Sequence, residues 1–391
     1  MKRKYYSVLL LFFLGITTKG FAQPKTYYRE VVDLLKNRVL IDSELALKEE
    51  PLTVTAEFCE RSAGNKHDFF SESDYFWPNP ENPEGPYKEI DGKTNPSNFV
   101  EHRKLMIRFS KIIGVLASAY KITGDDKYVK HAIKHLNAWF VDENTRMSPH
   151  LKYAQAIRNG VTGRNYGIID TIHFLEVVQG MMVMEKSKFF DEKLADKIKK
   201  WFSQYNLWLT TSEMGLKEKE IKNNHSTCWL MQVASFAKLT GNQLLLDSCT
   251  KRFKEVLLPN QMAENGSFPL ELRRTKPYGY AIFNLDAMAT VCQILSTPKD
   301  NLWKYQTNDG KSLAKGISFL YPYIADKSSW TYPEDIMFYE FWPVAQPFLL
   351  FGAFAYKNRS YFDLWKKLER YPTNEEVIRN LPVRNPIIWL Q

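Results

Sequence analysis

Apolar residues recur every three to four positions through most of this chain, in blocks that end at a glycine-centred break, and the block repeats. Leu105, Phe109, Ile112, Ile113, Leu116 and Tyr120 share one helical face. Thr123-Gly124-Asp125 breaks that period, and Val129, Ala132, Ile133, Leu136 and Phe140 line a second helix. Asn98 with Glu101 three residues later has the pattern of an N-terminal cap. The segment from Ala117 to Asp125 (Ala-Ser-Ala-Tyr-Lys-Ile-Thr-Gly-Asp) returns from Ala234 to Asn242 as Ala-Ser-Phe-Ala-Lys-Leu-Thr-Gly-Asn. A fainter echo runs from Ala353 to Asn358, followed by a helical stretch from Tyr361 to Leu368, and Ile168–Met184 with Glu192–Leu209 forms another pair. Repeated helical hairpins restrict the chain to an α-solenoid or an α/α toroid. With no polar terminal repeats in view, closure is favoured. The expectation is an all-α fold, an incomplete or closed α/α toroid (barrel) of helical hairpins. It would fill residues 23–391 as one domain, with a broad groove at one end that suits a long polymer.

Residues 1–22 read as a secretory signal. Met1-Lys2-Arg3-Lys4 is a basic start, Val8 to Thr17 a short apolar core, and Gly20-Phe21-Ala22 a small-residue cleavage region. That core is too short to span a bilayer and no later stretch reads as long enough, so membrane insertion is not expected. With no cysteine beside the cleavage point to take a lipid anchor, the expected location is periplasmic or secreted. The chain has 53 Lys+Arg against 44 Asp+Glu. Four of those cations lie in the signal, so the rest carries +5. A modest positive balance suits an anionic partner. Export, and the lack of a compact Lys/Arg run, point away from nucleic acid and towards an acidic polysaccharide. Cys59, Cys228, Cys249 and Cys292 are few and widely spaced, show no metal-ligand spacing, and read as buried free thiols. A monomer or weak oligomer is expected, with no metal and no organic cofactor.

Residues 51–98 depart from the helical pattern. Leu52 to Ala56 alternates like a short strand. A long aromatic segment follows, containing His67-Asp68-Phe69-Phe70-Ser71, Ser73-Asp74-Tyr75-Phe76-Trp77-Pro78-Asn79-Pro80, Pro86-Tyr87 and Asp91-Gly92. A loop this long is functional or disordered, and its aromatic content argues against disorder. It is expected to lie over the groove. Trp77 is then a candidate to stack on a sugar face, or with Phe76 simply to plug the toroid.

Two clusters carry chemistry. Lys222-Asn223-Asn224-His225-Ser226 opens a helix and places an amide and an imidazole side by side, although Asn224 alone reads equally as a helix cap and His225 as a structural histidine. Glu271-Leu272-Arg273-Arg274-Thr275-Lys276-Pro277-Tyr278-Gly279-Tyr280 packs three cations and two phenols into a bend. Arginine to hold a carboxylate, tyrosine to give a proton and histidine to take one form a coherent set for an acidic sugar. Glu271 either orients Arg274 or caps a helix, and His150 and His173 are as readily structural. A glycoside hydrolase would need two facing carboxylic acids, for which Asp170, Glu271, Glu334 and Asp335 are available. A non-catalytic polyuronate-binding protein would keep the same aromatics and cations.

Asn-Asn-His-Ser followed by Leu-Glu-Leu-Arg-Arg-Thr-Lys and a nearby tyrosine resembles the alginate lyase superfamily of polysaccharide lyases, families five and thirty-eight. So do His67-Asp-Phe-Phe-Ser to Trp77-Pro-Asn-Pro, and Ser148-Pro-His-Leu-Lys-Tyr-Ala-Gln155 continuing to Gly167-Ile-Ile-Asp-Thr171. The resemblance implies β-elimination of alginate, polymannuronate or glucuronan on an α/α toroid. It implies Asn224 as carboxylate neutraliser, with His225, Arg274 and Tyr280 as catalytic residues. Tyr153, Gln155, Arg164, Trp77, Glu271, Tyr278 and Arg273 are implied in substrate binding. Tyr278 remains an alternative to Tyr280, and Arg273 to Arg274. Lys66, Arg103 and Arg164 compete for one further basic position.

Overall fold

The computed structural model describes residues 23–390, a mainly helical chain with almost no strand. A leading helix α1 (Gln23–Ala46) precedes the long loop. Hairpins then follow: α2 (Glu101–Thr123) with α3 (Lys127–Phe140), and α4 (Phe174–Met184) with α5 (Glu192–Thr211). After the short α6 (Glu213–Lys219) come α7 (Asn224–Thr240) and α8 (Gln243–Arg252), then the single turns α9 (Leu258–Gln261) and α10 (Pro269–Leu272). α11 (Pro277–Leu295), α12 (Leu313–Ala325), α13 (Pro347–Tyr356), α14 (Arg359–Lys367) and α15 (Glu375–Arg379) complete the series.

The repeated Thr-Gly motif is a helix stop. Gly124 and Gly241 sit at φ 72° and 69°, and their N–H groups bond back to Tyr120 O and to Ala237 and Lys238 O. A Cβ at either position would meet nothing within 4 Å, so the requirement is left-handed backbone rather than space. In the third copy Lys357 takes the same conformation, at φ 53°.

α4, α7, α11 and α13 are buried along most of their length, whereas α3, α5 and α14 bury one face, so the first helix of each hairpin is the inner one. Side-by-side packing runs from α2 to α4, α7, α11 and α13. It returns to α2 through α1, whose Tyr27 stacks on Phe362 at 4.8 Å and whose Glu30 pairs with Arg359 at 2.7 Å. α7 and α11 run parallel: Glu271 binds Asn224 where they begin, and Lys238 Nζ donates to Ile294 O where they end. The C-terminal tail covers the far end, where Lys121, Gln179 and Gln293 donate to Ile387, Ile388 and Trp389 carbonyls. The end with the helix N-termini is left for the site.

Three local expectations are corrected. Leu52–Ala56 is no strand: Val54–Ala56 forms a tight turn capped by the Thr53 hydroxyl. The true strands of that region are two-stranded scraps, β1 (Phe70–Glu72) parallel to β4 (Tyr153–Ala156) and β2 (Phe76–Trp77) antiparallel to β3 (Lys88–Glu89). Asn98 does not cap α2; its amide donates to Ser73 O and Phe76 O, fastening the loop instead. Finally, Asn165–Met184 does reach span-like length and hydropathy, but 78% of its apolar window is buried in the core. All four cysteines are free and buried. The proposed signal lies outside the described residues.

Candidate active site

α7 begins with a division of labour between adjacent asparagines. Asn223 is the cap, its Oδ1 accepting from His225 N. That leaves the Asn224 side chain for another use, and it is fixed by Glu271. Asn224 N donates to Glu271 Oε1 at 2.7 Å and Nδ2 to Oε2 at 2.8 Å. Glu271 is buried, which pushes its carboxyl up, against the lowering effect of these bonds. With both oxygens on Asn224, Glu271 does not orient Arg274 by a side-chain bond; it holds the amide and serves the first N–H of α7.

His225 Nδ1 lies 2.6 Å from Glu218 Oε1, and the Tyr166 ring meets its edge at 5.0 Å. Its Nε2 makes no hydrogen bond among the described residues. Tyr280 stands in the first turn of α11. Its hydroxyl is 2.7 Å from Tyr75 OH and accepts from Arg274 Nη2 at 3.4 Å, while the Arg274 guanidinium lies 4.5 Å from the ring centre. Arg274 is forked onto Asp91, Nε to Oδ2 at 3.1 Å and Nη2 to Oδ1 at 2.5 Å. Burial pushes the Tyr280 phenol up, and the opposing pull of Arg274 and the Tyr75 bond does not reverse it.

These contacts form a closed circuit. It passes from His225 to Tyr166, to Arg164 (4.9 Å above the Tyr166 ring), to Phe76 (4.7 Å from the same guanidinium), to the adjoining Tyr75, and on to Tyr280 and Arg274. Arg274 N bonds back to Glu271 O, and Glu271 returns to Asn224 beside His225. Residues up to 205 positions apart in sequence are therefore joined in one connected set of contacts.

Arg274 and Tyr280 join the circuit; Arg273 and Tyr278 do not. Arg273 is exposed, and Tyr278 is fully buried with its hydroxyl on Tyr323 O and its ring between Trp330 and Tyr339. The i, i+2 offset turns Tyr278 to the opposite side of the helix start. Of the basic candidates only Arg164 is in the circuit. Arg103 is buried on Asp74 and Asp170, and Lys66 is exposed. Arg164 donates to Ser73 Oγ and Gln155 O and forms no ion pair among the described residues, and burial lowers its pKa. Gln155 is buried at φ 49°, its Nε2 on Asp170. Tyr153 and Trp77 are half-buried on the flanking strands, the indole N–H of Trp77 held by Lys93 O. His150 pairs with Asp68 and His173 is buried, both outside the circuit.

Of the carboxylates named for hydrolysis, Asp170 and Asp335 are hydrogen-bonded outside the circuit and Glu334 is not part of it. Asp170 holds Ser71, Gln155 and Arg103; Asp335 accepts the Tyr278 and Gly279 N–H groups; Glu334 is exposed. Among the described residues no group of three His, Cys, Asp or Glu is placed to hold a metal. A cavity of about 210 Å³ lies apart from the circuit at the seam of α1, α2 and α13, lined by residues such as Leu35, Val115 and Trp365.

The family model for alginate lyase matches residues 53–330. This chain belongs to the alginate lyase family. Among solved structures it is similar to an alginate lyase from Bacteroides ovatus at 32% identity, over 93% of this chain and 97% of that one, with a TM-score of 0.79. It also shares its fold with alginate lyase A1-III, one of whose variants was solved with a tetrasaccharide, at 13% identity over 82% and 84% of the two chains and a TM-score of 0.55. A search of curated proteins finds no match. The chain is accordingly a polysaccharide lyase.

Four residues in this lyase's circuit or bonded to it escaped the sequence reading of its site: Glu218, Tyr166, Asp91 and Tyr75. Glu218 sits in Lys217-Glu218-Lys219-Glu220, which reads as a solvated charge run, and Tyr166 has no pattern around it. Asp91 and Tyr75 lie in the aromatic loop, where residue type gave a signal but no periodicity assigned a direction.

Proposed function

We propose that this lyase cleaves 4-linked polyuronates, alginate or polymannuronate and glucuronan among them, by β-elimination that leaves 4,5-unsaturated uronate ends. The observation that supports this reading is the circuit, which links an imidazole and a phenol through contacts that also include an amide and a guanidinium.

The C5 proton of a uronate is very weakly acidic because its removal adds a second negative charge to the carboxylate group. Asn224 and Arg274, both fixed before substrate arrives, would neutralise that charge as it forms. The second N–H of the Asn224 amide and the Nη1 edge of Arg274 are not used by Glu271 or Asp91. Each proton transfer contributes about 10²–10⁴ in rate. When C5–H and O4 lie on opposite faces of the sugar, as in α-L-guluronate, His225 Nε2 takes the proton and Tyr280 protonates the departing O4. When they lie on one face, as in β-D-mannuronate and β-D-glucuronate, Tyr280 serves as base and then acid. The sequence suggests that Arg274 lowers the phenol for the base role. Burial outweighs it in the unliganded protein, so Tyr280 begins protonated and is immediately suited to the acid role. Export on residues 1–22 would place the enzyme where such polymers occur.

Incubating the purified protein with alginate, polymannuronate, polyguluronate and glucuronan tests the reading. A rise in near-ultraviolet absorbance from the new C4=C5 bond is expected with at least one. New reducing ends without that absorbance would mean hydrolysis, and neither would mean binding alone.

A further inference from the structure

Glu218 is placed with unusual care for a residue in a run of charges. It lies in α6, whose start is capped by Ser212 Oγ on Gly215 N. Gly215 approaches the α5 backbone so closely that a Cβ there would lie 2.1 Å from Leu209 O. The other end of α6 is tied down as well: Ser226 Oγ and an Arg252 guanidinium N–H both donate to Lys219 O. The Glu218 side chain is 0% exposed, and a carboxylate that deep is costly to keep unless its oxygens are bonded. One oxygen accepts from Asn165 Nδ2 at 2.9 Å; the other is 2.6 Å from His225 Nδ1. The family's reacting groups do not themselves account for this arrangement.

An ionised carboxylate only accepts hydrogen bonds. Facing Glu218 Oε1, the neutral imidazole must therefore carry its proton on Nδ1, which leaves the lone pair on Nε2. Asn165 occupies the second Glu218 oxygen, so the carboxylate cannot swing away. Tyr166, the next residue, meets the ring edge and limits its rotation.

We infer that Glu218 is a positioning residue: by accepting the Nδ1 proton it fixes the tautomer and direction of His225, so that Nε2 faces the opening ready to take the C5 proton of the sugar. Asn165 is the support that keeps Glu218 in place. The inference deepens the lyase reading given above and rests on it.

The test has an arm that does not depend on activity. Imidazole ¹⁵N shifts of the wild-type protein, with His225 identified by its absence in His225→Ala, should show protonated Nδ1 and unprotonated Nε2 at a pH where the ring is neutral. Protonated Nε2 would overturn the inference. In the kinetic arm, Glu218→Leu cannot accept from Nδ1, and Glu218→Gln removes the obligate acceptor. Each should lower kcat by about 10²-fold or more with KM within about threefold, as loss of an orienting carboxylate does in a catalytic triad. Full kcat in folded Glu218→Leu would also overturn it. His225→Ala separates the two levels. If that variant keeps wild-type turnover on polyguluronate, the lyase reading of His225 fails; if it is inactive there while Glu218→Leu is fully active, only the positioning role fails.

Discussion

The proposed base and the proposed acid are held in opposite ways. On the α7 side, the imidazole of His225 is gripped at one nitrogen by Glu218 and open at the other. On the α11 side, the phenol of Tyr280 is surrounded by Tyr75, the Arg274 guanidinium and, behind that, Asp91, with burial raising its pKa. One side presents a lone pair and the other a retained proton. The difference teaches that helix N-termini carry both side chains, while Glu218 of α6 flanks the imidazole and Tyr75 and Asp91 of the long loop flank the phenol and its guanidinium. Lys276 extends this second role: it is buried, paired with Glu376 at 2.9 Å, and reaches Tyr75 OH at 3.3 Å, so the phenol pair is backed by a buried charge network.

The largest effect should come from removing either reacting group. Tyr280→Phe is expected to lower turnover by about 10³-fold or more on every polymer the enzyme cleaves, and His225→Ala by as much on polyguluronate, where the imidazole is the base, with helical circular dichroism unchanged. If one variant is inactive and the other nearly normal on every polymer, the opposition between the two sides collapses. Tyr75→Phe removes one hydrogen bond from the Tyr280 hydroxyl and should cost about tenfold in kcat, the equivalent of about 1.4 kcal/mol, measured by the absorbance assay. Asp91→Asn should change kcat only a few-fold but shift the pH profile. The Asp91 charge raises the Tyr280 pKa and compensates Arg274, so its loss lowers that pKa. The alkaline limb of kcat/KM should then move to lower pH. A limb that stays in place would show that Asp91 does not govern the phenol. The smallest effect on catalysis belongs to Tyr278→Phe. Its hydroxyl serves Tyr323 O on the other side of the helix start, so about 1 kcal/mol of stability should be lost in denaturant unfolding, with activity intact.

The helices were readable because their signal is local. Leu105 to Tyr120 states its own period, and Gly124 and Gly241 mark helix ends in any context. The pairing of Asn224, His225, Arg274 and Tyr280 came from motif resemblance, since nothing in residue spacing brings positions 224 and 280 together. The loop resisted because its contacts are long-range: Asp91 meets Arg274 across 183 positions, and Tyr75 meets Tyr280 across 205. Asn98 illustrates the same limit, for a cap pattern is local and the pull of Ser73 and Phe76 carbonyls is not. Glu218 was hidden for the opposite reason: its seven-residue offset from His225 is short, but a carboxylate flanked by lysines carries no sign that it is wholly buried.

The central claim is that both reacting groups face one sugar whose acid group is held by Asn224 and Arg274. A crystal structure of Tyr280→Phe with an alginate oligosaccharide tests it most directly. The account predicts a uronate carboxylate within hydrogen-bond distance of the Asn224 amide and the Arg274 guanidinium, with C5 turned to His225 Nε2 or O4 near the missing hydroxyl. An oligosaccharide lying away from the opening, or a carboxylate bound by neither residue, would contradict it.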